Sequence, residues 1–339
     1  MLDSKSEVIT LEYPKAVFYK RVFAFLFDFL CAVFLATGIA ALGSLGLQQV
    51  SLYKNALETM NSIEIESGMY IENGSSVDVI TDFYTVSSSS AGDADYQIVD
   101  DQFENALVSF YNSSYFFPDN QGNLIYQKLK VGDSSLTYDV DGVSTSYWKL
   151  SLDSSGSSVI VKNCDYATLY DFYQTAISDD ALPAISVNSL SYISASKTIF
   201  WLTFGLILGS FVIGMIVFFF LIPLFFRRGW QTFGKRLFKL SLINAKAVSP
   251  SWKQYLSRSL LLLFIEFTIG FFSFAIPIFV SFTMFAIRKD GQSFHDYVAG
   301  TYEVDSSQNL IYFSESEYEK RNGDLGMLSI ENGTELIHK

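Results

Sequence analysis

The sequence predicts a multi-pass α-helical membrane domain with three hydrophobic segments, into which an α+β domain is inserted. Three observations carry that reading. Half of the 339 residues are hydrophobic and 32 are Phe, yet the formal net charge is −12. Such values coexist only when charge and apolarity are segregated along the chain. Three runs are almost free of ionisable groups, and each exceeds the roughly 20 residues that a helix needs to cross a bilayer. Basic residues gather in one loop and acidic residues in another, the asymmetry that orients a membrane protein.

Residues 1–21 form a short N-terminal stretch whose Lys15, Lys20 and Arg21 place it on the cytoplasmic side. Val22–Leu47 follows as the first membrane helix and holds Asp28 as its single charged residue. Its apolar run is longer than the roughly 7–15 residues of a leader core, and Asp28 interrupts it, so a retained anchor is expected. A carboxylate in this setting is costly and must face water, become neutral, or meet a partner on another helix.

Gln48–Lys197 carries 20 acidic and six basic residues, with no Arg and no His, and is expected outside the cytoplasm. Turn clusters such as "PDNQGN" (Pro118–Asn123) and "DSSGSS" (Asp153–Ser158) punctuate it. Alternation in "SLTYDV" (Ser135–Val140), "SYWKLSL" (Ser146–Leu152) and "SSVIVKN" (Ser157–Asn163) predicts antiparallel strands. Helical spacing recurs over Asp100–Tyr111 and Tyr166–Ile177, and Leu52–Ile65 reads as an outward extension of the first helix. With no His and one Cys, the region lacks the pairs that nucleophilic catalysis or a His-based zinc site requires. "DADYQIVDD" (Asp93–Asp101) reads as a solvated acidic surface in preference to a calcium site, since EF-hand spacing is missing.

Thr198–Phe226 has no charge across 29 residues and forms the second membrane helix. Trp201 and Trp230, near its two ends, suit interfacial belts. The loop Arg227–Arg258 carries eight basic residues and no acid, and is therefore cytoplasmic. Arg227, Arg228, Lys235, Arg236 and Lys239 are expected to grip anionic lipid headgroups, at about 1 kcal/mol each. "GKRLF" is not a phosphate loop, because no Gly precedes it at P-loop spacing and no Ser or Thr follows Lys235. Nucleic acid is not expected as a partner, since no groove-reading module is present.

Ser259–Ile287 has Glu266 as its one charge. A single crossing would leave Arg288 and Lys289 outside, against the charge bias. Two short helices meeting near Gly270–Phe274 would return both basic ends to the cytoplasm, and the pattern favours this broken hairpin. Residues 288–304 then read as an Asp290–Gly291 turn, a short interfacial helix and a small strand from Gly300–Thr301, with residues 305–339 an acidic cytoplasmic tail. His295 and Asp296 are neighbours, which on a helix point apart and argue against a catalytic pair; Asp296 is expected to cap backbone amides or to pair with Arg288 or the basic loop.

Arg21 and Asp28 lie seven residues apart, on one helical face with about 10 Å of rise between them. Arg258 is a candidate cationic partner for Asp28, and Glu266 lies eight residues beyond it. With Asp296 they define a polar cluster between helices. Three readings stay open for it: a structural lock, an ion, proton or small-solute site, or a contact for another membrane protein.

An Arg opening the first helix, an Asp within it, "GWQTFGKRLF" (Gly229–Phe238) and "RKDGQSFHDYVAGT" (Arg288–Thr301) together resemble the RDD family of bacterial membrane proteins. The resemblance covers about residues 15–47 and 198–305 and does not extend to the inserted domain. It implies that the family's Arg and two Asp are Arg21, Asp28 and Asp296. It departs at Trp230, inserted between the Gly and the Gln-Thr, and at Lys239, where a Gly often stands. The resemblance implies a plasma-membrane protein that transports an ion or small solute. No nucleophile–base–orienter set can be assembled on either side of the membrane, so neither an enzyme nor a cofactor is expected. The large insertion adds an alternative, a scaffold or regulator that binds an envelope partner or a second copy.

Overall fold

The computed structural model describes residues 13–74, 76–86, 92–132, 136–288, 290–308 and 310–321. Expectations for Ser87–Ala91, Lys289 and the tail beyond 321 lie outside the described residues. Two units emerge, one from both ends of the chain (up to residue 43 and from 205), the other from residues 44–204.

Helix α1 (Phe18–Leu47) buries Arg21, Ala24, Asp28, Ala32 and Ala36, a stripe repeating every three to four residues. The small residues of that stripe allow close approach of another helix. A Cβ on Gly214 would lie 2.5 Å from the Ala32 carbonyl oxygen, so the backbones of α1 and of the helix that carries Gly214 meet there. The opposite face presents Leu30, Phe34 and Leu42.

A turn at residues 48–50, closed by Gln49 N–H to Gly46 O and Val50 N–H to Leu47 O, ends α1. The next helix, α2 (Ser51–Glu66), is therefore separate and not an extension of α1. Hairpin β1 (Tyr70–Asn73)–β2 (Ser76–Val79) leads to the single turn α3 (Ile80–Phe83), then α4 (Asp93–Asn112) and α5 (Gly122–Gly132). Two further hairpins follow, β3 (Thr137–Val140)–β4 (Val143–Ser146) and β5 (Trp148–Leu152)–β6 (Ser158–Lys162). Helix α6 (Tyr166–Thr175) passes through a wide helical turn at Ala176–Ala181 into α7 (Leu182–Asn188). Among the described residues of this unit, the strands pair only within these three hairpins. The core comes from helices instead: Phe103, Leu107 and Phe110 of α4 against Leu169, Phe172 and Tyr173 of α6, with Trp148 on Phe172.

One residue of "DADYQIVDD" departs from the solvated reading. Asp100 is buried on the inner face of α4, and neither carboxylate oxygen has a hydrogen-bond partner among the described residues. Burial pushes its carboxyl up to about 7, against a smaller opposing pull from Lys162. The folded state thus holds this proton more tightly than the unfolded chain, whose Asp titrates near about 4. Its stabilisation is complete below about pH 4 and is lost as pH rises to about 7. Hydrogen exchange should show α4 protection falling between about pH 5 and about pH 8, after correction for intrinsic rates, and a flat profile in Asp100→Asn. Equal profiles in the two proteins would contradict this.

Helix α8 (Leu190–Ile216) starts before the expected segment and continues through a wide turn at Val217–Leu221 into α9 (Ile222–Phe225). The basic loop holds the short helix α10 (Phe233–Leu237) and strand β7 (Leu240–Asn244). Helix α11 (Trp252–Leu260) runs through the widened stretch Leu261–Ile269 into α12 (Gly270–Phe272). There the helix breaks: Phe274 and Ala275 have φ of 51° and 63°, and Pro277 opens α13 (Ile276–Ile287). Helix α13 packs back on Leu261–Ile269, and both α11 and α13 pack on α14 (Phe294–Ala299). Strand β8 (Thr301–Asp305) closes the unit by pairing antiparallel with β7, Leu240 opposite Asp305 and Asn244 opposite Thr301. Three helices, Phe18–Leu47, Leu190–Phe225 and Trp252–Phe272, are long and apolar enough to cross a membrane, and Ile276–Ile287 is a shorter apolar helix.

Candidate functional site

The polar residues of the membrane unit converge where α1, α10, α11, α14 and β8 meet. Asp28 is 1 % exposed and is compensated by the start of α10. Its Oδ1 accepts the Gly234 N–H at 2.7 Å and its Oδ2 accepts the Thr232 hydroxyl. Thr232 is the N-cap of α10, so its oxygen also accepts the Lys235 N–H at 3.2 Å. One hydroxyl thereby starts the helix and binds the carboxylate. The approach requires glycine at 234: a Cβ there would overlap the Ala24 carbonyl oxygen and lie 2.8 Å from Asp28 Oδ2. Arg258 is not the partner of Asp28.

Arg258 instead binds Asp296, its Nε donating to Oδ1 at 2.7 Å. Arg21 approaches the same carboxylate from α1, Nη2 to Oδ2 at 3.0 Å, and its Nη1 donates to the Gly291 carbonyl. Hydroxyls of Ser293, at 2.6 Å, and Thr301, at 3.1 Å, complete the shell of Asp296, which is wholly buried. Burial would push its carboxyl up, but the surrounding charges, Arg258 first, then His295, Arg21 and Lys235, outweigh it and hold the group well below the usual carboxylate range. Arg288, a candidate partner of Asp296, binds Asp290 instead at 2.7 Å.

His295 enters the network beside Asp296, because α14 is enclosed on more than one side. Arg258 Nη2, which can only donate, lies 3.0 Å from His295 Nε2. The same Nε2 lies 3.0 Å from the Ser293 hydroxyl, and Nδ1 lies 2.7 Å from Glu266 Oε1, so both ring nitrogens are engaged. The expectation that neighbouring His295 and Asp296 would point apart thus fails in a packed site. Strand β8 contributes through its period of two: Thr301 to Asp296, Glu303 to Arg21 Nε at 3.1 Å, and Asp305 to Lys20 at 2.5 Å.

Lys235, expected at lipid headgroups, is the clearest correction. It lies on the face of α10 that packs inward, 9 % exposed, with Nζ 3.4 Å from Glu303 Oε2. That contact lacks hydrogen-bond geometry, and Nζ has no hydrogen-bond partner among the described residues. Burial, reinforced by Arg258, lowers its amine to about 8. Glu303 moves down: burial opposes ionisation, but Lys235 and Arg21 prevail. The remaining headgroup candidates, Arg227, Arg228, Arg236 and Lys239, stay exposed, although Arg228 reaches Glu317 at 3.0 Å and Arg236 covers the Phe226 ring at 4.5 Å.

A cavity of about 300 Å³ opens into this cluster, with Lys235, Glu266 and Glu303 on its polar wall and Phe25, Phe267 and Phe285 on its apolar one. Trp230 is buried and not in an interfacial belt. It stacks on Tyr255 with ring centroids 4.0 Å apart, and its Nε1 donates to the Pro250 carbonyl at 2.8 Å. This inserted residue ties the loop to α11. Lys239 adopts a φ of 56°, the left-handed region that favours the Gly often found there.

The residues missed from sequence are Thr232, Gly234 and Glu303, while Lys235 and His295 were noticed but not placed in the cluster. The Thr-Phe-Gly sequence before Lys235–Arg236 was a readable helix start. The alternation in "TYEVD" marked Glu303 as sharing a face with Thr301.

Fold and site together define a membrane-embedded helical protein with a buried charge network inside its membrane unit. The model of the RDD family matches residues 167–300. The match takes in α10, α11 and α14, begins within the 44–204 unit, and leaves α1 with Arg21 and Asp28 outside. No curated protein and no solved structure matches the chain.

Proposed function

We propose that the membrane unit is a transport module of the bacterial plasma membrane, in which the polar cluster holds an ion or small solute during passage. One observation carries the reading: a cavity lined by charged groups contains the Lys235 amine, buried and without a hydrogen-bond acceptor among the described residues. A network built only as a lock gains nothing from such a group, because an unmade buried bond is destabilising. The orientation follows the charge bias: both termini and the Arg227–Arg258 loop in the cytoplasm, residues 48–197 outside. Helices α11 to α13 form a re-entrant hairpin, supported by the shared contact of α11 and α13 with α14. Arg227, Arg228, Arg236 and Lys239 then face anionic headgroups.

The test is flux in proteoliposomes under Na⁺, K⁺, proton and L-leucine gradients. Glu266→Gln retains an acceptor for His295 and should fold, yet it removes a membrane carboxylate from the cavity wall and should abolish the flux. No flux in the wild-type protein, or full flux in the variant, would defeat the proposal.

A second reading rests on the 44–204 unit, which has its own aromatic core and lies mostly outside the family match. In that reading it binds an envelope partner or a second copy, and the chain is a scaffold. A native-membrane pull-down with and without residues 50–195 tests it: a reproducible partner or self-association lost on deletion is the expected result.

A further inference from the structure

The cavity wall has two unmet demands. Lys235 Nζ, 3.4 Å from Glu303 Oε2, makes no hydrogen bond among the described residues. Glu266 lines the same cavity, receives His295 Nδ1 on Oε1, and makes no other hydrogen bond among the described residues. The other carboxylates are engaged, Asp28 by Thr232 and Gly234, Asp296 by two guanidiniums, Glu303 by Arg21. Among the lysine, arginine and carboxylate side chains of the cluster, the three cations Arg21, Lys235 and Arg258 face the four carboxylates Asp28, Glu266, Asp296 and Glu303, one more than they can neutralise.

That balance selects the ligand. An anion would satisfy Lys235 but double the excess charge in a dehydrated site. A simple cation would satisfy Glu266 but leave the Lys235 protons unmatched and repelled. A zwitterion meets both groups and leaves the net charge unchanged. The volume, about 300 Å³, is at the small end of ligand sites, and the apolar wall of Phe25, Phe267 and Phe285 requires an apolar body.

We propose that the cavity binds a zwitterionic amphiphile, with its oxyanion on Lys235, its ammonium on Glu266 and its apolar part against the phenylalanines. A free amino acid with an aliphatic side chain and an ethanolamine phospholipid headgroup share this chemistry. The inference rests on the ligand-site reading above but does not require net transport.

The experiment titrates the full-length chain, purified in detergent, calorimetrically with L-leucine, 4-methylpentanoate (oxyanion only) and 3-methylbutylamine (ammonium only). In parallel, the chain is placed in phosphatidylethanolamine or phosphatidylcholine nanodiscs, and bound lipid is read by native mass spectrometry. The zwitterion should bind about tenfold or more tighter than either half-molecule, as expected when one of two charged contacts is missing. If the headgroup is the occupant, the same preference appears as retention of phosphatidylethanolamine over phosphatidylcholine, whose choline has no N–H. Lys235→Met should remove the advantage of leucine over the amine, and Glu266→Gln its advantage over the acid. These ratios within one protein stay informative if a variant is less stable. Equal binding of an acid or amine, unchanged ratios in both variants, or no preference for either zwitterion would overturn the proposal. Ion flux without zwitterion preference would remove this inference and leave transport standing. Zwitterion binding without flux would do the reverse.

Discussion

Asp296→Ala is expected to be the most damaging single substitution in the membrane unit. The change removes the carboxylate that two buried guanidiniums share, at 3.0 Å from Arg21 and 2.7 Å from Arg258. Breaking a buried pair by deleting one partner typically costs about 3–5 kcal/mol, because the other charge is left uncompensated. Here two are left. Folded protein recovered from membranes should fall steeply, and the remainder should melt well below wild type in detergent. Asp296→Asn should recover little, since an amide cannot neutralise either arginine. Wild-type yield and melting in Asp296→Ala would show that the pairs are dispensable.

Gly234→Ala is the second large effect, and it acts through geometry alone. The added methyl meets the Ala24 carbonyl and the Asp28 carboxylate, so α10 must move away from α1. Overpacking together with loss of the Gly234 N–H bond to Asp28 predicts about 2–4 kcal/mol of destabilisation. Gly46, whose Cβ position is empty on the same helix as Asp28, is the control: Gly46→Ala should be tolerated. Thermal unfolding of the two variants side by side checks the contrast, and equal melting temperatures would contradict the packing described.

Much of this site was legible in the sequence because membranes make charge conspicuous. Arg21, Asp28, Arg258, Glu266 and Asp296 stand out against long apolar runs, and the structure brings all five into one buried cluster. The pairing was not legible. Asp28 meets Thr232 and Gly234 across more than 200 residues, and one of those donors is a backbone amide with no side chain to reveal it. Lys235 looks like any member of a basic loop until α10 forms and turns it inward. The helices of the inserted unit were visible through Phe103, Leu107 and Phe110, whereas β1, β2 and α5 were not singled out. Asp100 escaped for a related reason: within an acidic run, only packing decides which carboxylate is buried.

The account depends on Asp28 being compensated by the start of α10. A double-mutant cycle between Asp28 and Thr232, using Asp28→Ala, Thr232→Val and the combination, measures that contact by thermal unfolding of the full-length protein in detergent. A hydrogen bond to a buried carboxylate predicts a coupling of about 1.5–3 kcal/mol, with the double variant less damaged than the two single losses added. Strict additivity would mean that the hydroxyl and the carboxylate do not interact, and would contradict the arrangement proposed for the membrane unit.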